Sequence, residues 1–127
     1  MVRKSSMVFG SLGVGVFLVL AAIEQGPLFV AMLALVGTFL GIGVSNGWAI
    51  TQTLAGPLDA GRWTGVQNFI GNLAGWVSPA LTGFLVDRTG HFYAPFFITA
   101  AVAWIGALGW GAGVGRVEQV NWERLEA

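Results

Sequence analysis

The sequence predicts an all-α membrane protein, four transmembrane helices and a short tail. Two observations carry that prediction: composition and the placement of charge. Of 127 residues, 55% are hydrophobic and only 9% are charged. Mean hydropathy is +0.74. A soluble domain carries about a quarter charged residues, so too little polar surface exists here to cover one. A disordered chain needs the opposite balance. The few charges fall at Arg3, Lys4, Glu24, Asp59, Arg62, Asp87, Arg88 and from Arg116 onward. Between them lie charge-free stretches at 5–23, 25–58, 63–86 and 92–115. Each exceeds or approaches the roughly 20 residues a helix needs to cross the hydrocarbon core. Inside lipid the backbone must satisfy its own hydrogen bonds, which makes such segments helices.

The spans are placed near 6–23, 28–55, 63–86 and 92–114, with a tail over 115–127. The first follows Arg3 and Lys4, as a signal peptide would, but no small-x-small cleavage site stands near Glu24 and three more spans follow. Pro27 opens the second span, where its missing N–H does no harm. Pro57 follows the end of that span, and Pro95 lies in the first turn of the fourth. Pro79 falls inside the third span and leaves the Gly75 carbonyl without its helical partner. A bend follows there, either a fixed structural kink or a hinge.

Four spans put both ends on one side, with Arg3, Lys4, Arg62, Arg116 and Arg124, and leave only Arg88 opposite. The positive-inside bias places both termini in the cytoplasm. Trp63, Phe92 and Tyr93 stand at span edges, where interfacial aromatics belong. Trp48, Trp76 and Trp104 fall deeper and are expected to pack on helices or line a cavity. The chain has 20 glycines. The four-apart pairs Gly37/Gly41, Gly43/Gly47, Gly71/Gly75, Gly109/Gly113 and Gly111/Gly115 allow close helix packing.

Polar residues concentrate in two spans. The first has Ser11 alone after Ser6, and the fourth little beyond Thr99. The second holds Thr38, Ser45, Asn46, Thr51, Gln52 and Thr53. In the third, Thr64, Gln67, Asn68, Gly71, Asn72, Gly75, Ser78, Pro79 and Thr82 share an arc of roughly 140°. In the second, Thr38, Gly41, Ser45, Trp48 and Gln52 share one face. An amide in hydrocarbon needs a partner, so these faces either hydrogen-bond between helices or line a cavity. The cavity candidates are Ser45, Trp48, Gln52, Gln67, Asn68 and Asn72, with Trp48 a wall for a sugar-like or carboxylate ligand. No charge lies within a span, so any intramembrane carboxylate or arginine of an ion-coupled carrier is not here.

The segment from residue 56 to 122 carries a resemblance. The Arg62 to Gly65 loop, QNF at 67–69, GNLAG at 71–75, SPALTGFLVDRTG at 78–90 and GRVEQVNW at 115–122 closely resemble the end of a major facilitator superfamily transporter. The branch is that of anion:cation symporters for hexuronates, other sugar acids and related organic anions. SNGW at 45–48 resembles the cavity helix of the penultimate repeat, and Arg3 with Lys4 the end of a basic loop. The resemblance implies helices nine to twelve of a twelve-helix carrier, a partial C-terminal half. It implies that the second and third spans line the central cavity and that the first and fourth lie outside. Ser45, Trp48, Gln67, Asn68 and Asn72 would contact hydroxyls or carboxylate oxygens of a small organic anion. The complete carrier would couple that anion to H+ or Na+ in a bacterial inner membrane. The first eight helices and their charged residues are missing, and alternating access needs two halves. This stretch alone is therefore expected not to transport.

Competing readings are a non-transporting membrane subunit and a small four-helix exporter, which would need a membrane-embedded carboxylate. Neutral net charge excludes general nucleic-acid binding. Zero Cys and one His exclude disulfides, Cys-based metal sites and a His-centred triad. No enzyme, metal or cofactor is expected.

Overall fold

The structure is a computed structural model and describes residues 2–24, 26–115, 117 and 118. Among these residues all regular structure is helical. Helix α1 spans Val2–Ile23, α2 spans Pro27–Thr89 and α3 spans Tyr93–Leu108, continued by a π-helical turn over Gly109–Gly113. Three helical stretches, with α3 and its π turn taken as one, are long and apolar enough to cross a membrane. Most of the tail expected over 115–127 lies outside the described residues.

The second and third expected spans are two helical arms that meet at a kink with no loop between them. They form α2, 63 residues whose one interior break in helical geometry is Gly56, at φ 74° and ψ 175°. That conformation is essentially reserved for glycine. Pro57 follows at once. A proline beginning a helical segment loses no hydrogen bond it could have made, so the helix restarts without the loop expected over 56–62.

A straight helix of this length would reach about 95 Å, three times the roughly 30 Å hydrocarbon core. Gly47 and Gln67 would then stand about 30 Å apart along the axis. Instead, a methyl group built on Gly47 would lie 3.9 Å from Gln67 Nε2. Gly56 therefore turns the second arm of α2 back toward the first. The other two reversals also carry a positive-φ glycine, Gly26 before α2 and Gly90 after it. Gly90 is left-handed, and its N–H donates to the Val86 carbonyl at 2.7 Å, closing the helix end.

Helix α1 is the centre of the packing. It contacts α2, α3 and the π turn, and it buries Met7, Val14, Leu18, Ala21 and Ala22. The core joins Val14 and Leu18 to Val36 of α2 and Ala100 of α3, flanked by Phe17, Phe39 and Phe96. Glycine makes this closeness available at two contacts. A Cβ on Gly10 would meet the Phe39 carbonyl oxygen at 2.9 Å and the Gly43 nitrogen at 3.0 Å. A Cβ on Gly15 would collide with the Trp104 indole.

The four-apart pairs read from the sequence mostly do not make such contacts. Gly37, Gly41, Gly71, Gly75, Gly109 and Gly113 have open space where a side chain would stand. Trp104 packs on α1, whereas Trp76 is 85% exposed, against the expectation that it packs or lines a cavity. Residues 68–81 are exposed on every side. The most covered helix is thus the one the resemblance placed outside, because its small residues admit both neighbours.

Arg3 and Lys4 tie one end of the bundle. Arg3 Nη1 donates to Thr53 Oγ1 at 2.7 Å and to the Ala49 carbonyl at 3.2 Å. Lys4 Nζ donates to the Val114 carbonyl beyond the π turn. The starts of α1, the Gly56 elbow and the end of the π turn therefore share one end of the molecule.

Candidate functional site

The folded-back arm lines one side of an open cavity of about 410 Å³. Helix α1 contributes Met7, Gly10, Ser11 and Val14. The first arm of α2 contributes Phe39 to Trp48 along one face, and the second arm contributes Gln67, Asn68 and Gly71. Ala103 and Trp110 close it from α3 and the π turn. The lining is mostly apolar, with hydrogen-bonding capacity from Ser11, Gln67, Asn68 and the two indoles. No ionisable side chain lines it.

Of the six residues expected to line a cavity, Trp48, Gln67 and Asn68 stand together here. Ser45 does not. It is exposed, and its hydroxyl donates to the Gly41 carbonyl of its own helix at 2.8 Å. Gln52 is exposed and outside the lining. Asn72 is held by its neighbour: Nδ2 donates to the Asn68 carbonyl at 2.8 Å and to Asn68 Oδ1 at 3.0 Å. Gln67 Oε1 is buried with no hydrogen-bond partner among the described residues. Pro79 lies inside α2 without any departure from helical dihedrals; Gly56 is the residue that departs.

The two resolutions weighed for the polar residues, interhelical bonding and cavity lining, leave out a third that the structure uses often. Thr38, Ser45, Asn46, Thr51, Thr53 and Thr99 each donate to the carbonyl four residues earlier. Such back-bonding satisfies a small polar side chain without a second helix.

Sequence reasoning missed Met7, Ser11 and Trp110. Ser11 had a signal, as the lone polar residue within an otherwise apolar span. Trp110 had none, because its direction depends on the phase of α3 and its π turn. The arrangement can donate and accept hydrogen bonds and offer indole faces, but it cannot neutralise an ionic ligand. Among the described residues no group of His, Asp and Glu could hold a metal.

No family model matches the chain, and no solved structure matches it. Curated relatives do. The hexuronate transporter of Bacillus subtilis is 35% identical over 79 residues, 62% of this chain and 19% of that protein. The D-galactonate transporter of Escherichia coli is 31% identical over 120 residues, 94% of this chain and 27% of that protein. The chain is similar to sugar-acid transporters.

The probable galactarate/D-glucarate transporter of Escherichia coli agrees, at 28% identity over 94% of this chain and 26% of its own length. This chain spans about a fifth to a quarter of the length of these relatives. The resemblance to organic-anion carriers of the major facilitator superfamily therefore holds. The relatives are transporters and not enzymes. With the apolar helices, they make this an integral membrane protein.

Proposed function

We propose that this chain forms one wall of the substrate cavity of a secondary transporter for small organic anions such as sugar acids. The observation that carries the reading is the convergence of Trp48 with Gln67 and Asn68 across the Gly56 fold. It puts amides and an indole face, rather than more aliphatic side chains, in a membrane cavity. In this reading the two arms of α2 are two spans, and the chain supplies the last four helices of a twelve-helix carrier. The exposed face over 68–81, with Asn72, Gly71 and Gly75, meets helices that this stretch does not include. Those helices would also carry the residues that hold the carboxylate and couple it to H+ or Na+. Ser45, Gln52 and Asn72 would turn toward substrate only in that larger assembly. Pro79 would bend the second arm as the cavity opens and closes. The charge bias and the Lys4 to Val114 bond support both ends lying together on the cytoplasmic face of a bacterial inner membrane.

Alternating access needs two halves that rock about a site, so this stretch alone does not transport. The test is a chimaera in which it replaces the matching quarter of the D-galactonate transporter. Proteoliposomes should take up galactonate with the chimaera, lose at least about tenfold in uptake with Trp48→Ala or Asn68→Ala, and show none with the 127-residue chain by itself. Full uptake by both variants would remove the cavity assignment. Saturable uptake by the isolated chain would remove the claim that it needs the other helices.

A further inference from the structure

Away from the cavity, two clefts meet on the outside of the bundle at Lys4. One, about 450 Å³, lies at the end of the bundle and is lined by Arg3, Lys4 and Thr53. The other, about 390 Å³, runs along α1 past Lys4, Val8, Phe9 and Leu12. The first is cationic. Among the described residues, Arg3 and Lys4 bond only to neutral carbonyl and hydroxyl oxygens, and no acidic side chain lines either cleft. The salt bridge among the described residues, Asp59 to Arg62, involves neither cation. Apart from Ser5, the second cleft is apolar below Lys4. From Lys4 to Leu12 the helix rises about 12 Å, close to the depth of one leaflet's hydrocarbon layer, half of about 30 Å.

We propose that these joined clefts bind one anionic phospholipid. Its phosphate sits by Arg3 and Lys4, and one acyl chain lies along Val8, Phe9 and Leu12. The head and tail of the lipid match the order of the two surfaces. Basic residues beside a span are drawn to the negative surface of an anionic leaflet, and the apolar cleft turns that general attraction into a seat. A soluble anion would use only the upper cleft, so the commitment is to lipid.

The test uses the full chain in zwitterionic detergent, titrated with phosphatidylglycerol and followed by native mass spectrometry. One phosphatidylglycerol should be retained, in preference to phosphatidylcholine. Arg3→Gln with Lys4→Gln should weaken retention roughly thirtyfold, whereas Arg88→Gln, outside both clefts, should leave it unchanged. Phe9→Ala, which keeps both cations, should weaken it several-fold, and dihexanoyl phosphatidylglycerol should bind less well than the long-chain lipid. Circular dichroism checks that each variant is folded. If the double variant unfolds, Phe9→Ala and the chain-length series decide the matter. Equal retention of the two lipids, equal loss with Arg88→Gln, or no effect of Phe9→Ala and chain length would overturn the proposal. So would displacement of the lipid by millimolar inorganic phosphate, which would make this a free-anion site.

Discussion

At the scale of single residues, small side chains decide where α1 can be approached. Gly15→Val puts methyl groups where the Trp104 indole stands. Overpacking of this kind costs about 1–3 kcal/mol, and thermal unfolding in detergent should show a lower midpoint. Gly37→Val, facing open space, should leave that midpoint within experimental scatter. Gln67 has a different character. Its Oε1 is buried without a described partner, and an unsatisfied buried acceptor costs about 1–3 kcal/mol. Gln67→Met should therefore be neutral or stabilising for the isolated chain, while reducing galactonate uptake in the chimaera. Lost stability together with unchanged uptake would mean that Gln67 serves packing and not substrate. The amides on the second arm were legible as a polar stripe from spacing alone. Which of them face the cavity was not, because Asn72 turns to Asn68, just as Ser45 on the first arm turns to its own helix.

At the scale of elements, the turn in α2 rests on one residue. Gly56 stands in a conformation that costs other residues about 1–3 kcal/mol, so Gly56→Ala should open the elbow or destabilise the chain by that amount. The chain has no cysteine, which makes a paired-cysteine assay clean. Gly47→Cys with Gln67→Cys should be joined by a short bifunctional thiol reagent, because the 3.9 Å approach is to the end of the Gln67 side chain, and adding Gly56→Ala should slow the joining markedly. Pro57→Ala should change crosslinking little. Rapid crosslinking in the presence of Gly56→Ala would show that the arms approach for another reason. Proline marked the break from the sequence side, and the structure moves it by one residue to the glycine before it. A proline at the start of a helical segment can keep helical dihedrals; a glycine with ψ near 180° does not.

At the scale of the whole molecule, the ties from Arg3 to Thr53 and Lys4 to Val114 gather the start of α1, the elbow and the end of the π turn at one end. In a membrane this requires Arg62, just beyond the elbow, and Arg88, near the far end of the second arm, to lie on opposite faces. A membrane-impermeant maleimide applied to right-side-out vesicles should label Arg88→Cys and spare Arg62→Cys. Labelling of both would mean that the second arm does not span. The exposed surface over 68–81 belongs to this scale too. It is polar on one side and apolar on the other, as a helix between lipid and a further helix would be.

The sequence by itself determined the class of the molecule, because nine charged residues in a hundred cannot clothe a soluble globule and their clustering leaves only membrane-length segments. It also determined which segments carry amides, since helical period alone sorts them onto a stripe. Only the tertiary structure decided that α1 is the packed centre, that Gly56 folds α2 upon itself, and that Met7, Ser11 and Trp110 join Trp48, Gln67 and Asn68 around one cavity. Periodicity reports the face a residue occupies on its own helix. Which neighbour meets that face depends on glycine contacts and on one backbone dihedral pair, neither of which leaves a periodic trace.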